Sequence, residues 1–252
     1  MSKKNAATAS ATATVAELPQ ILAESAGLPV ALEGTWGASE DIDSGDLLVG
    51  KIFHQQALSK FVSEGMANAG DWCDSLTGEV LAKRDEPLSI IIFKVSKKLI
   101  ISKSVLSNGK FEFVESVDVT PDNCNLPWEE ETQTGTIKRQ LCYNYFCLVS
   151  NKINELPYVL SLSSTKIKAA KKINTMIAKM TRMKLSSSSY KFLLTSVKES
   201  GEKGTWFGVN VAQGEKCSNE EMLIAYDWYT QIKSKNVVVS EDEHESSYSG
   251  TQ

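Results

Sequence analysis

A chain of 252 residues, 42% apolar and 23% charged, has the length and composition to bury a core in one large domain or two small ones. Its net charge of −4 excludes a protein that attracts nucleic acid through overall charge, so any such role must rest on local clustering. The five cysteines (Cys73, Cys124, Cys142, Cys147 and Cys217) are odd in number and lack CxxC spacing, which reads as reduced thiols, mostly buried or half-buried, in a cytoplasmic protein.

Residues 1–16 are a low-complexity Ala/Thr/Ser leader. They carry too few large apolar side chains to offset backbone ordering, so disorder is expected. The basic start lacks the continuous apolar stretch of a signal peptide, and the longest apolar run, Leu88 to Val95, is too short to span a bilayer. Residues 17–46 read as an acidic arm with Trp36 alone in it. Over the first 50 residues two lysines stand against seven carboxylates.

Residues 47–235 read as a single domain. Leu47 to Phe61 predicts a strand followed by a short helix. Ala69 to Val80 reads as a tight connection around Trp72, because Asp74, Ser75 and Gly78 favour turns. Leu88 to Val95 predicts a buried strand, and Lys97 to Leu106 follows with alternating character, Leu99 and Ile101 against Ile100 and Lys103. Ser107-Asn108-Gly109-Lys110 is a hairpin signal, and Phe111 to Val119 is the return strand, with Phe111, Phe113, Glu115, Val117 and Val119 on one face. Pro121 to Thr136 reads as an acidic loop, and Ile137 to Ser150 as a long strand. Pro157 to Leu162 is a short one.

Ser163, Ser164 and Thr165 offer an N-cap for a helix whose buried stripe is Ile167, Ala170, Ile173, Ile177 and Met180. Tyr190 to Val197 and Thr205 to Val211 predict a hairpin. Asn219 to Lys233 predicts a final amphipathic helix, burying Met222, Leu223, Tyr226, Tyr229 and Ile232. Residues 236–252 form a polar tail with Glu241, Asp242, Glu243 and Glu245, and disorder is expected there. The fold class is mainly β with flanking helices (α+β). The element order fits an oligonucleotide/oligosaccharide-binding (OB) barrel, closed or partly open and antiparallel, with one helix before its last two strands. The alternative is an unrelated α+β sheet with two covering helices.

The strongest functional signal is charge distribution. From Lys152 to Lys198 there are nine lysines and one arginine against a single acid, Glu155. Such a surface attracts phosphates and releases counterions without reading sequence. Lys166, Lys168, Lys172, Lys179, Arg182 and Lys191 are the candidate phosphate contacts, weighed against a plain solvated helix face. By strand alternation Trp206, Gly208 and Asn210 face away from Phe207, Val209 and Val211. Trp206 beside Gly208 offers a flat face for a base, with Tyr143 and Tyr145 as further candidates. Catalysis has no support: His54 and His244 are the only histidines, and HExxH, Walker A, GxSxG and GxGxxG patterns are absent. No enzyme activity, metal or cofactor is expected.

Three stretches carry a family resemblance: Asp71 to Glu79, Leu156 to Ser163, and Tyr190 to Ser196 with Gly204 to Phe207. With these the chain resembles bacteriophage single-stranded-DNA-binding proteins of the OB-fold type, over about residues 47 to 230. The resemblance implies a barrel with a basic, aromatic-bearing face and an acidic C-terminus. It implies coating of single strands during replication or recombination in the host cytoplasm, with partner proteins recruited by the tail. The long acidic N-terminal third and the ending Gly250-Thr251-Gln252 depart from that pattern. A second reading is a virion or assembly protein that acts through self-association, its termini serving as assembly devices.

Overall fold

Long runs of β-branched and aromatic residues make this a sheet protein. In the computed structural model, residues 48–104, 111–201 and 204–234 are described. The expected leader, acidic arm, Asn-Gly turn and acidic tail all lie outside the described residues.

The strands are β1 (Gly50–His54), β2 (Trp72–Asp74), β3 (Val80–Ala82), β4 (Leu88–Ser104), β5 (Phe111–Asp118), β6 (Glu129–Thr132), β7 (Gly135–Val149), β8 (Tyr158–Ser163), β9 (Tyr190–Gly201) and β10 (Gly204–Lys216). The helices are α1 (Lys60–Ser63), α2 (Ile167–Arg182) and α3 (Asn219–Ser234). One sheet runs in the order β10-β9-β4-β7-β8-β1-β2-β3, with β5 added on β4 and β6 on β7. All pairs are antiparallel except β1 with β8.

The long pair β4–β7 is the spine. Its inner part is flanked by β9 and β8, its outer part by β5 and β6. The sheet curls into a half-barrel, and among the described residues no backbone ladder joins β10 to β3.

Each face has its own core. Trp72, Ile90, Ile92, Tyr145, Leu160, Leu162, Phe192, Leu194 and Val211 pack with Ala169, Ala170, Ile173 and Met180 of α2. Ile91, Phe93, Phe146, Leu148 and Val159 pack with Ala225 and Ile232 of α3. The alternation Ile90/Ile92 against Ile91/Phe93 is the period-2 rule feeding both faces. A helix thus covers each face, as in the sheet-with-two-helices alternative, on a sheet curled part-way toward a barrel.

Four local expectations are corrected. Trp72 lies in a buried strand, because β1 supplies its ladder. The turn is confined to Asp74–Gly78, where Asp74 Oδ1 accepts from the Leu76 N–H and Oδ2 from the Thr77 hydroxyl. Glu129 to Thr132 is a strand, because Glu129 and Glu130 meet Lys138 and Arg139 across the ladder at 3.7 and 2.7 Å. A β-bulge in β5 pairs Phe113 with Ser102 and Glu115 with Ile101, so Phe111 and Phe113 leave the face of Glu115 and Val117. On α3 the buried stripe is rotated: Ala225 and Ile232 are buried while Leu223 and Tyr226 are exposed.

The residues expected to cap α2 form a 3-10 turn, Ser164–Lys166, and give the helix no side-chain cap. On α3, Ser218 and Glu221 form a capping box: the Glu221 N–H donates to Ser218 Oγ at 3.1 Å, and the Ser218 N–H to Glu221 Oε2 at 2.8 Å. The cysteines are free thiols; all but the exposed Cys124 are buried.

Candidate nucleic-acid interface

The helix α2 reads IKAAKKINTMIAKMTR, with five cations and no acid. Apolar residues at helical spacing press one stripe into the core, which forces the cations outward. Lys168, Lys179 and Arg182 are exposed, with no ion-pair partner among the described residues. Lys172 donates to Asn210 Oδ1 at 3.0 Å, tying α2 to the edge strand β10. Lys166, half-buried in the preceding turn, acts electrostatically on His54.

Other residues singled out from the sequence sit elsewhere. Lys191 bonds Glu215 at 2.7 Å and Glu221 at 2.9 Å, and these partners, Glu215 first, raise its pKa. Its charge is matched in a clasp that joins β9, β10 and α3.

Tyr145 is fully buried, and its hydroxyl lies 3.0 Å from Ala170 O and 2.9 Å from Asn174 Oδ1. Burial pushes its pKa up. It is a core link between β7 and α2, with no exposed ring face to offer a base. Tyr143 packs half-buried against the same core, its ring 6.3 Å from that of Tyr145.

Trp206 is half-buried. Its indole N–H donates to Glu199 Oε2 at 2.9 Å, and the same carboxylate fills the space above Gly208, where an added Cβ would lie 2.3 Å from Glu199 Oε1. Alternation places Trp206 opposite to Val209 and Val211, which pack toward α2. Trp206 therefore shares its face of β10 with Asn210, which Lys172 of the basic helix bonds, while the apolar stripe of α2 packs against the valines of the other face.

On the α2 face, polar side chains bridge the open end of the half-barrel. Gln56 acts as a strand partner for Phe207: its Oε1 accepts from the Phe207 N–H, and its Nε2 donates to the Phe207 carbonyl, both at 3.0 Å. The Ser196 hydroxyl donates to the Gly70 carbonyl and lies 2.8 Å from His54 Nε2, so the Nε2–H tautomer completes the chain.

His54 stacks on Trp72 with ring centroids 4.3 Å apart. Burial, aided by Lys166, lowers its pKa to about 3. The buried Asp71 accepts from the Arg84 N–H at 2.8 Å through Oδ1, and from the Asn68 N–H at 2.8 Å through Oδ2. Gly70, at φ +96°, separates Arg84 from Phe207; a Cβ there would lie 2.8 Å from both side chains. Above this framework opens a cleft of about 300 Å³ lined by Arg84, Asp85, Ser196, Lys198 and Phe207. Sequence reading passed over this cleft. Its residues are far apart in the chain, and the only local hint was the turn-rich stretch from Ala69.

No helix among the described residues is long and apolar enough to cross a membrane. Among known proteins, the family model described as Pam3 phage gp34-like protein matches residues 24–238. No curated protein and no solved structure matches the chain.

Proposed function

The chain belongs to the Pam3 phage gp34-like protein family, and from that premise we propose that it is a non-enzymatic single-stranded-DNA-binding protein of phage replication or recombination. The observation that carries this reading is α2. Five cations stand on one helix without an acid, and Lys168, Lys179 and Arg182 are exposed with no ion-pair partner among the described residues. A helix of ordinary solvated surface mixes signs; this one is arranged for phosphates. In this reading the half-barrel, with α2 ahead of its last hairpin, serves as an OB-like platform. Lys168, Lys172, Lys179 and Arg182 track the backbone, with Lys166 at the start of the helix, and the acidic tail recruits replication or recombination proteins.

The test is a fluorescence-anisotropy titration of the full chain with labelled oligo-dT, single- and double-stranded, at several salt concentrations. The reading expects preference for the single strand and affinity that falls steeply with salt. No binding at low salt, where attraction is least screened, overturns it.

A second reading, assembly through self-association, draws on β5 and the connection that follows it, where Phe113, Val114, Leu126 and Trp128 are exposed. A large oligomer in size-exclusion chromatography without nucleic acid would favour it.

A further inference from the structure

The cleft at the open end of the half-barrel has the parts of a nucleotide subsite. Arg84 and Lys198 supply two cations, and Phe207 supplies an aromatic ring. Lys198 and Phe207 are direct cross-strand partners, so their side chains share one face. That face also carries Val209 and Val211, which pack toward α2. The ring of Phe207 lies four residues along β10 from Val211, a path of roughly 13 Å at about 3.3 Å per residue. The cleft therefore opens on the same face of the sheet that α2 covers.

The lining is held in place. Gln56 fixes the backbone of Phe207 with two hydrogen bonds, Asp71 fixes that of Arg84, and His54 and Gly70 hold Ser196. Gln56, Asp71 and His54 are all buried. Such a buried supporting layer is what keeps a recognition group in one geometry. The remaining lining residue, Asp85, meets Arg84 Nε at 3.4 Å, but both side chains are largely exposed, at 87% and 53%. A surface pair of this kind holds weakly and yields to a phosphate.

Resting on the single-strand reading above, we infer that this cleft holds one nucleotide of the bound strand, with Arg84 and Lys198 on its phosphates and Phe207 stacked on its base. Aromatic stacking tolerates any base, so the subsite adds affinity without sequence preference. It takes over the role that the sequence suggested for Trp206.

Two measurements on the full chain test it. In the first, an oligo-dT carrying 5-iododeoxyuridine is photocross-linked to the unaltered protein and the adduct is mapped by mass spectrometry. An adduct at Phe207 is expected. In the second, Arg84→Ala/Lys198→Ala and Phe207→Leu are titrated with labelled oligo-dT beside the unaltered protein, with thermal unfolding as the check on folding. The double variant is expected to bind about 10-fold more weakly, with a salt slope smaller by roughly 1.4, about 0.7 for each phosphate contact on a single strand.

Adducts confined to α2, together with a double variant that binds like the unaltered protein, would overturn the subsite and leave the α2 reading standing. Failure of the unaltered protein to bind oligo-dT would remove both.

Discussion

The two long helices are built to the same length and do the same packing work, yet they differ in what they offer outward. Each has sixteen residues and each seals one face of the sheet. Outside its buried stripe, α2 carries five cations and no acid. The outer surface of α3 mixes Glu220, Asp227 and Lys233 with exposed Leu223 and Tyr226. The cores beneath them differ as well. The α2 side adjoins the polar bridge of His54, Gln56 and Ser196, while on the α3 side Lys94 lies over the ring of Phe146 and donates to the Ile232 carbonyl at 3.1 Å. Covering a sheet constrains only the inward stripe of a helix, so the outward stripe is where function is written.

The comparison breaks first if the helices are unequal as packing elements. Ile173→Ala and Ile232→Ala each empty a buried site, and each is expected to cost about 2–5 kcal/mol in urea unfolding. If one cost far less, the two faces would not be equivalent.

Gln56→Ala sharpens the contrast between the cores. It strips both partners from the Phe207 backbone and is expected to cost about 1–3 kcal/mol. An unchanged denaturation midpoint would mean that the bridge contributes nothing to holding the half-barrel.

The pH dependence separates the faces again. His54 has a folded pKa of about 3, below its ordinary value of 6.5. The unfolded chain therefore takes up a proton there before the folded one does. Stability from this site is complete above about pH 6.5 and falls as pH drops toward 3, by about 1.4 kcal/mol per unit. His54→Gln should flatten that slope in unfolding measured from pH 7 to pH 5.

Trp206→Ala is the smallest effect. The residue is half-buried on the face of β10 opposite to Val209 and Val211, and pairs with Glu199. A stability loss of about 1 kcal/mol or less is expected, with oligo-dT affinity unchanged. A large loss of affinity would return the stacking role to Trp206.

Much of the fold was legible because it rests on local rules. The alternation in β4 and β7, the pairing of β9 with β10 and the buried stripe of α2 all follow from side-chain period. The misreadings have a common cause. The strands Trp72–Asp74 and Glu129–Thr132 exist because a distant strand pairs with them, and no local window contains that partner. The rotated stripe of α3 reflects which residues the sheet leaves room for.

The candidate site divides in the same way. The basic stripe of α2 was visible as charge at helical spacing. The matched charge of Lys191, the burial of Tyr145 and the placing of Glu199 against Trp206 depend on residues brought in by other elements. The cleft draws on three separate stretches, around residues 84, 196 and 207, so no single motif announces it.

The central claim is that α2, and not overall charge, binds the strand. The most direct test applies the same net change of charge to each helix. One variant carries Lys168→Gln, Lys179→Gln and Arg182→Gln; the other carries Leu223→Glu, Tyr226→Glu and Lys233→Gln. Both are titrated with labelled single-stranded oligo-dT across a salt series. The α2 variant is predicted to bind about 10- to 100-fold more weakly at low salt, with a slope smaller by about 2, while the α3 variant stays within about threefold of the unaltered protein. Equal losses from both variants would contradict the account, since binding would then follow net charge and not the helix.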